Sequence, residues 1–509
     1  MKALPWLFCT FLVSCSSTHK RTAETRPFQI EVVDSASGDG VPLVELTTVN
    51  GIVHVTDSAG RVAFDEPGLM DQDVFFFVTS HGYQYPKDGF GNSGLRLHPA
   101  RGGRARIELP RVNIARRVCR LTGTGIYRDS VLLGEPVPIA EPLLAGGVLG
   151  QDSVQTALYR GRICWFWGDT SRASYPLGNF AMSGATSELP PALGGGGLPP
   201  ERGADLCYFT GPDGFARGLC PIEGQPGPVW CDGMTTLVDA TGRERLYCRF
   251  ARMKSLGEMH EQGIARWDDE LERFVPVARL ALDAPLLPHG QPLRVQERAG
   301  DFWYFADPMP FVRCRAEEAS FLDVSSWEAW TCLEPGARWE AAHPRLERRN
   351  GQLVYGWKRD TAPVRPAEEA ELVARGLALR EELAGALREA RTGAPVRAHS
   401  GSVCWNAHRR AWVMIAEELG GSSLAGEVWY AEAPELTGPW RDAVKIVTHD
   451  DYSFYNVAQH PFFDQDGGRT IYFEGTYSRE FSGTRRPTPR YDYNQILYAL
   501  DVDDPRLHP

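Results

Sequence analysis

The sequence lacks any long apolar run, since the only sustained one, Ala3 to Val13, is too short to cross a bilayer as a mature helix. It also lacks an excess of positive charge, because 54 Lys and Arg residues stand against 65 Asp and Glu residues and give a net charge of −11. The one Arg-dense stretch, Arg101 to Arg120, is interleaved with apolar residues typical of strands. These features argue against membrane-spanning helices and against nucleic acid as a partner.

Metal-ligand spacing is missing too, because none of the 11 cysteines forms a CxxC pair or a Cys/His pattern of the kind that holds zinc. We therefore predict no cofactor and no metal site. Without Cys9 and Cys15 the remaining cysteines are odd in number, which leaves at least one free thiol in an exported chain. Spacings such as Cys207 to Cys220 permit local disulfides, whereas cysteines in apolar strand patterns are typical of buried free thiols.

The first residues have the pattern of an export signal. Lys2 precedes the apolar run, and Leu12-Val13-Ser14-Cys15 resembles the bacterial lipobox. We expect residues 1–15 to be a lipoprotein signal peptide and lipobox, with lipidation at Cys15 and a polar linker over 16–26. A lipid on Cys15 would tether a monomeric protein to a membrane of the bacterial cell envelope, facing the periplasm or the outer surface.

Residues 27–110 alternate apolar and polar side chains between Gly, Asp and Asn turns, a pattern that predicts short strands packed as a β-sandwich. Three motifs, Val33-Asp34, Val41 to Val44 and Thr56 to Arg61, resemble the carboxypeptidase-regulatory-like family. That family is an accessory module, so the resemblance implies a spacing or docking role without catalytic residues. Residues 111–148 are expected to be a connector with strand-like segments around Cys119 and Val131.

Residues 149–509 contain a repeated unit: a turn, a short aromatic-rich strand and, in most copies, a polar residue. The copies start at Gly161, Gly242, Gly300, Gly351, Arg410 and Gly468. This spacing predicts an all-β chain whose second domain is a β-propeller, five-bladed or alternatively six-bladed. Helical spacing predicts a helical insertion over 367–391, and the Gly/Pro-rich residues 188–203 are expected to form a loop over the funnel face.

The chemistry is expected around Asp152 and Asp169, which flank the aromatic strand of the first unit. Two strands of one hairpin would bring both carboxylates to the same end of the first blade. Cleavage of a glycosidic bond commonly needs one carboxylic acid to protonate the leaving oxygen and a second carboxylate as base or nucleophile. Each Asp could instead cap a turn by accepting backbone N–H groups.

The early Asp, the aromatic strand and Gly168-Asp169-Thr170 resemble the endo-D-arabinanase-type propeller hydrolases and, more distantly, the arabinanase, xylosidase and levansucrase superfamily. Glu427 to Trp440 is similar to a blade sequence common across that superfamily. The resemblance implies that Asp152 and Asp169 are the catalytic pair. The superfamily also uses a mid-chain Asp and a Glu from other blades, for which the counterparts are Asp232, Asp307 and Glu474.

Other aromatic, basic and amide side chains near predicted strand ends are candidates for binding sugar. They are Gln155, Trp167, Asp232, His260, Lys358, His399, Gln459, His460 and Tyr477. Packing between blades is the alternative for the aromatic residues, and a turn for Asp232.

We therefore predict an exported lipoprotein that binds carbohydrate and hydrolyses glycosidic bonds with paired carboxylates. A polysaccharide lyase, which would need a Tyr or His base and a cation, is one alternative. A non-catalytic propeller that binds glycan or protein at the cell surface is the other.

Overall fold

The computed structural model describes residues 26–179, 181–490 and 492–508, and most of its regular structure is β-strand, which confirms the prediction of a mainly β chain. The predicted signal peptide and Cys15 lie outside the described residues. No helix within the described ranges has the length and apolar character needed to span a membrane.

The first region forms two sheets that enclose one apolar core. The strands are β1 (Phe28–Asp34), β2 (Glu45–Thr48), β3 (Val53–Val55), β4 (Arg61–Phe64), β5 (Val74–Thr79), β6 (Gly94–Leu97) and β7 (Arg104–Leu109). One sheet has the order β4-β1-β7 and the other β3-β2-β5-β6. Alternate residues such as Ile30 and Phe64 of the first sheet and Phe76 of the second are buried in the shared core, as expected where one face of each strand points inward.

A short helix, α1 (Arg128–Leu133), anchors the following segment to these sheets. Asp57 closes its own turn by accepting the backbone N–H groups of Ala59 and Arg61, and its second oxygen accepts the N–H of Ser130 at 2.7 Å. The helix replaces the strand predicted around Val131.

The second region contains the other strands and helices. In chain order the strands are β8 (Arg116–Arg120), β9 (Val148–Gln151), β10 (Gln155–Tyr159), β11 (Arg162–Trp167), β12 (Thr170–Arg172), β13 (Tyr175–Asn179), β14 (Ser183–Glu188), β15 (Cys207–Tyr208), β16 (Val229–Val238), β17 (Glu244–Ser255), β18 (Glu258–Asp268), β19 (Arg273–Leu280), β20 (Gln291–Glu297), β21 (Gly300–Ala306), β22 (Pro310–Arg315), β23 (Glu328–Thr331), β24 (Arg348–Arg349), β25 (Gln352–Leu353), β26 (Gly356–Arg359), β27 (Arg388–Glu389), β28 (Ala398–Asn406), β29 (Ala411–Glu418), β30 (Glu427–Ala433), β31 (Asp442–Thr448), β32 (Ser453–Gln459), β33 (Thr470–Ser478) and β34 (Asn494–Asp501). The helices are α2 (Glu318–Leu322) and α3 (Pro366–Ala374).

Five sheets of four or five strands follow one another along this region. Their orders are β10-β11-β14-β15, β16-β17-β18-β19, β20-β21-β22-β23-β26, β27-β31-β30-β29-β28 and β32-β33-β34-β8. One edge strand of each sheet contacts an edge strand of the next, from β10 through β16, β20 and β28 to β32. We call these five the inner strands.

The last sheet combines strands from both ends of the region, because β8 pairs antiparallel with β34. Residues 111–148, predicted to be only a connector, therefore supply the outer strand of this sheet. Arg117 of β8 is buried and donates hydrogen bonds to Ser80 Oγ and the carbonyl of His81, which joins the sheet to the first region.

The repeat copy at Gly351 does not start a sheet of its own. It contributes the β24-β25 hairpin and β26, the last strand of the third sheet. The helical prediction for 367–391 holds only for α3, because Gly376, with φ +67°, follows the end of the helix, and β27 pairs with β31.

Candidate functional site

Carboxylates from the first four sheets meet a pair of polar residues from the fifth in one cluster. Its acidic members are Asp152, Asp169, Asp232, Asp307 and Glu417, and we call them the acidic cluster. Antiparallel neighbours run in opposite directions, so the start of an inner strand and the end of the next strand lie at the same edge of a sheet. The acidic cluster follows this rule, since its members lie next to or within such strand ends.

Asp152 and Asp169 are neighbours at the edge of the first sheet. Asp152 Oδ1 accepts the backbone N–H of Asp169 at 2.8 Å, and Oδ2 accepts the Tyr455 hydroxyl at 3.0 Å. Burial and the charge of Asp169 raise the pKa of Asp152 to about 7. Burial also raises the pKa of Asp169, against a hydrogen bond from Trp230 of the second sheet.

One oxygen of this pair is available. Asp169 Oδ1 is buried and has no hydrogen-bond partner among the described residues. Gly168 is tightly enclosed here, because a Cβ at this position would lie 2.5 Å from Asp152 Oδ1. The local sequence thus packs the two carboxyl groups together and leaves one strong acceptor unused.

Asp232, His289 and Asp307 form a charged row across the second and third sheets. His289 Nδ1 lies 2.8 Å from Asp232 Oδ2, and His289 Nε2 lies 3.1 Å from Asp307 Oδ2. Arg249 Nη1 donates to the same Asp232 oxygen at 3.0 Å.

The row is ionised at neutral pH. Burial opposes the charge of His289, but the two carboxylates raise its pKa to about 10. The pKa values of Asp232 and Asp307 are lowered in spite of their burial, chiefly through His289, with Arg249 and Arg365 adding to the effect.

Glu417 is held by the fifth sheet. Its Oε2 accepts the backbone N–H of Asn456 at 2.6 Å, while Asn456 Nδ2 donates to Ser153 Oγ at 2.6 Å. Glu417 is 2% exposed, and burial, with a smaller contribution from Asp307, raises its pKa to about 8. Glu417 and Asp152, whose pKa values are raised, thus lie in one cluster with Asp232 and Asp307, whose pKa values are lowered.

Backbone irregularities direct these side chains. Ser153 and Asn456 have left-handed φ angles of 61° and 54°, and the inner strands β16, β28 and β32 lose regular register after Asp232, Ala398 and Tyr455. Bulges next to strand ends re-aim side chains, and strained non-Gly residues concentrate at functional sites.

The sequence interpretation missed His289, Glu417, Tyr455 and Asn456. Glu417 had a signal, because it follows the aromatic strand of the copy that starts at Arg410. His289 lies in a turn before β20 and has no periodic pattern around it.

Glu474 and His460 are not in the acidic cluster. Glu474 lies in the middle of β33, and its Oε2 is 2.8 Å from Nε2 of His460. Both side chains are fully buried next to Trp165. The catalytic prediction for Glu474 and the sugar-binding prediction for His460 gain no support from this position, which follows because β33 extends past the aromatic triplet.

Three other residues predicted to bind sugar are either packed in the interior or lie on an outer strand. Trp167 is buried and stacks on Trp165 with ring centroids 6.1 Å apart, and Tyr477 is buried with its hydroxyl 2.9 Å from His81 Nδ1. Lys358 lies on the outermost strand of the third sheet and pairs with Glu347 at 2.6 Å.

The remaining sugar-binding candidates lie in different parts of the second region. His260 is on the third strand of the second sheet, away from the inner strands. Gln155 begins β10, and its Oε1 is buried without a partner among the described residues. Gln459 lines a channel of about 750 Å³ between the inner strands, whereas His399 borders a second cavity beside Asp307.

The Gly/Pro-rich loop lies at the other end of the first sheet. β14 runs away from Asp169 and delivers residues 188–203 to the opposite edge, where Leu193 lines the channel. The loop predicted over the funnel face therefore lies at the end of the channel opposite the acidic cluster.

Within the described ranges, no group of three or more His, Cys, Asp or Glu residues could hold a metal ion. All nine cysteines of that part of the chain are free thiols, and seven of them are buried.

No protein-family model matches this chain, and no curated protein matches it. Solved structures that resemble it include an exo-1,5-α-L-arabinanase from a bovine ruminal metagenomic library, with 10% identity over 70% of this chain and 94% of that one, at a TM-score of 0.33. An exo-β-1,3-galactanase from Phanerochaete chrysosporium is 10% identical over 75% of this chain and 64% of that one, with a TM-score of 0.37. A family 43 glycoside hydrolase from Xanthomonas citri, complexed with xylotriose, is 10% identical over 70% of this chain and 87% of that one, with a TM-score of 0.33. TM-scores this low carry no functional conclusion.

Proposed function

We propose that the chain is a glycoside hydrolase in which the five sheets are the blades of a five-bladed propeller and Asp152 and Asp169 are the catalytic pair. The observation that carries the proposal is the acidic cluster itself, where buried carboxyl groups with raised pKa values lie beside others with lowered pKa values. When neighbouring carboxyl groups have different pKa values, one can act as the acid and another as the base at the same bond.

In this mechanism Asp152 is the general acid. Its raised pKa keeps a proton on the side chain up to about pH 7, and that proton passes to the glycosidic oxygen as the bond to the sugar breaks. Asp169 acts from its free Oδ1 as the base that activates water or as the nucleophile.

The charged row supports the same step. Cleavage places positive charge on the sugar ring, and fixed negative charge nearby stabilises that charge without reorganisation. Asp169 supplies that charge, while Asp232 and Asp307 are balanced by His289 and Arg249, which hold both carboxylates in place. Buried Glu417 keeps the adjoining wall neutral at pH 7.

The lyase alternative needs a base that can take a proton near neutral pH. Burial and Asp152 raise the pKa of Tyr455 well above its usual value, and His289 is already protonated between two carboxylates. Neither side chain is suited to remove a proton, which supports hydrolysis over elimination.

The decisive variants are Asp152→Asn and Asp169→Asn, with Asp283→Asn, an exposed Asp, as the matched control. Reducing ends released from a panel of poly- and oligosaccharides measure activity, and circular dichroism checks folding. We expect each cluster variant to lose at least about 100-fold in rate and the control to keep its rate. Full activity in both cluster variants contradicts the assignment, and binding without turnover by the unaltered protein supports a non-catalytic binding protein.

We also propose that the first two sheets are an accessory β-sandwich and that Cys15 carries the lipid that keeps the protein in the cell envelope. Incorporation of a labelled fatty acid that is lost in Cys15→Ala supports the anchor. Equal labelling of both proteins contradicts it.

A further inference from the structure

A cavity of about 550 Å³ lies beside the acidic cluster and shares Asp307 with it. Its walls come from α3 and from residues 380–398, the segment that follows the third sheet. Arg365, Arg380 and Arg397 line it, together with His399. We call this cavity the arginine pocket.

The guanidinium groups of the pocket are incompletely neutralised. Arg365 Nη1 is 4.0 Å from Asp307 Oδ2, and its guanidinium lies over the Phe311 ring. Neither Arg380 nor Arg397 is ion-paired with a carboxylate within the described part of the chain.

The acidic side chains that line the pocket do not offset this charge. Glu369 accepts the Tyr355 hydroxyl at 2.8 Å and the backbone N–H groups of Ala384 and Gly385 at 3.2 and 3.1 Å. Burial raises the pKa of Glu369 to about 7, so it is partly neutral at neutral pH. Asp307, the other acidic residue of the wall, is already paired with His289. The pocket therefore presents positive charge within a chain whose net charge is −11.

We propose that the arginine pocket is a subsite for an anionic substituent of the glycan, a carboxylate or a sulfate, on a sugar next to the bond that is cleaved. This inference rests on the proposed hydrolase function and specifies its substrate class. Guanidinium groups present planar, paired N–H donors that match the oxygens of such anions. The pocket volume is within the range of roughly 300 to 1,000 Å³ that is usual for ligand sites.

The test measures binding separately from turnover. Asp169→Asn, which is expected not to hydrolyse the glycan, is titrated calorimetrically with oligosaccharides of galacturonate, glucuronate, mannuronate and sulfated galactose. Each is compared with its methyl-esterified or desulfated counterpart. We expect at least one anionic ligand to bind about tenfold or more tightly than its neutral counterpart, and the better class identifies carboxylate or sulfate.

The same titrations are repeated after adding Arg380→Gln or Arg397→Gln. Each change is expected to weaken binding of the anionic ligand about tenfold. Arg273→Gln, which removes an exposed charge from an outer strand of the second sheet, is the matched control and is expected to leave binding unchanged. Failure of every anionic ligand to bind, equal binding of all charged and neutral pairs, or unchanged binding in both pocket variants overturns the inference.

The two proposals fail in different ways. If the unaltered protein cleaves glycans but anionic and neutral counterparts bind equally well, with and without the pocket arginines, the subsite is wrong and the hydrolase assignment stands. If anionic ligands bind through the arginines and no reducing ends are released, the subsite stands and the hydrolase assignment fails.

Discussion

At the scale of single residues, the proposed site consists of carboxyl groups whose surroundings shift their pKa values. Burial raises the pKa of Glu417 from 4.5 to about 8, so the folded protein holds a proton that the unfolded chain has released. The contribution of Glu417 to stability is therefore greatest below about pH 4.5, falls as the pH rises towards 8 and is constant above that value.

Glu417→Gln removes the cost of that buried charge while its amide oxygen can still accept the Asn456 N–H. We expect thermal unfolding of the variant to match the unaltered protein near pH 4.5 and to occur at higher temperature above pH 8, by on the order of a few kcal/mol in free energy. Scanning fluorimetry across this range measures the difference. A variant that is less stable at pH 9 would show that Glu417 is stabilised as an anion.

Gly168 tests the contact between the catalytic carboxyl groups. A Cβ there would lie 2.5 Å from Asp152 Oδ1, so Gly168→Ala is expected to move Asp152 and reduce the rate of hydrolysis at least about tenfold while the protein stays folded. Gly196→Ala, where an added Cβ meets nothing within 4 Å, is the control. Equal rates for both variants would show that the position of Asp152 is unimportant.

The sequence located the residues that follow or precede short strands. Asp152, Asp169 and Asp307 were found because each flanks a strand of ordinary length. Glu474 was misplaced because β33 is longer, so the residue after the aromatic triplet falls inside the strand. His289 could not be found, since its role depends on two carboxylates distant in the chain.

At the scale of strands and turns, bulges and left-handed residues direct the site. Asn456, with φ 54°, joins Glu417 to Ser153. In Asn456→Gly the backbone can keep this angle without strain, but the side-chain hydrogen bond to Ser153 is lost. In Asn456→Ala the hydrogen bond is lost and the backbone angle is also strained. We expect Asn456→Ala to be less stable than Asn456→Gly by about 1 kcal/mol in chemical denaturation. Identical stabilities would show that the backbone angle is relaxed in solution.

The repeated aromatic strand predicted most sheets but could not show which strand of a sheet each copy forms. The copy at Gly351 has the same pattern as the others, yet it supplies the outer strand of the third sheet and a separate hairpin. Local alternation reports that a strand is half-buried, whereas its neighbours are decided by contacts across the fold. The same reason explains why β8 was assigned to a connector.

At the scale of the whole molecule, the first region and the last sheet are packed as one unit. The hydroxyl of Tyr477, in the last sheet, lies 2.9 Å from His81 Nδ1 of the first region. Buried Arg117 donates across the same boundary. These contacts bury polar groups that would lose their partners if the regions separated.

We therefore expect the full chain to unfold in one cooperative calorimetric transition. A protein that begins at residue 111 keeps β8 but loses the partners of Arg117 and Tyr477, so it is expected to unfold at lower temperature. Two resolved transitions in the full chain, or an unchanged transition in the shortened protein, would show that the regions are independent.

The acidic cluster is proposed to add water across a glycosidic bond. The most direct measurement is the mass of the products released from a cleaved glycan in water enriched in oxygen-18, for the unaltered protein and for Asp152→Asn and Asp169→Asn. We expect labelled saturated products from the unaltered protein and almost none from either variant. Unlabelled unsaturated products, or equal labelling in all three proteins, would contradict the account.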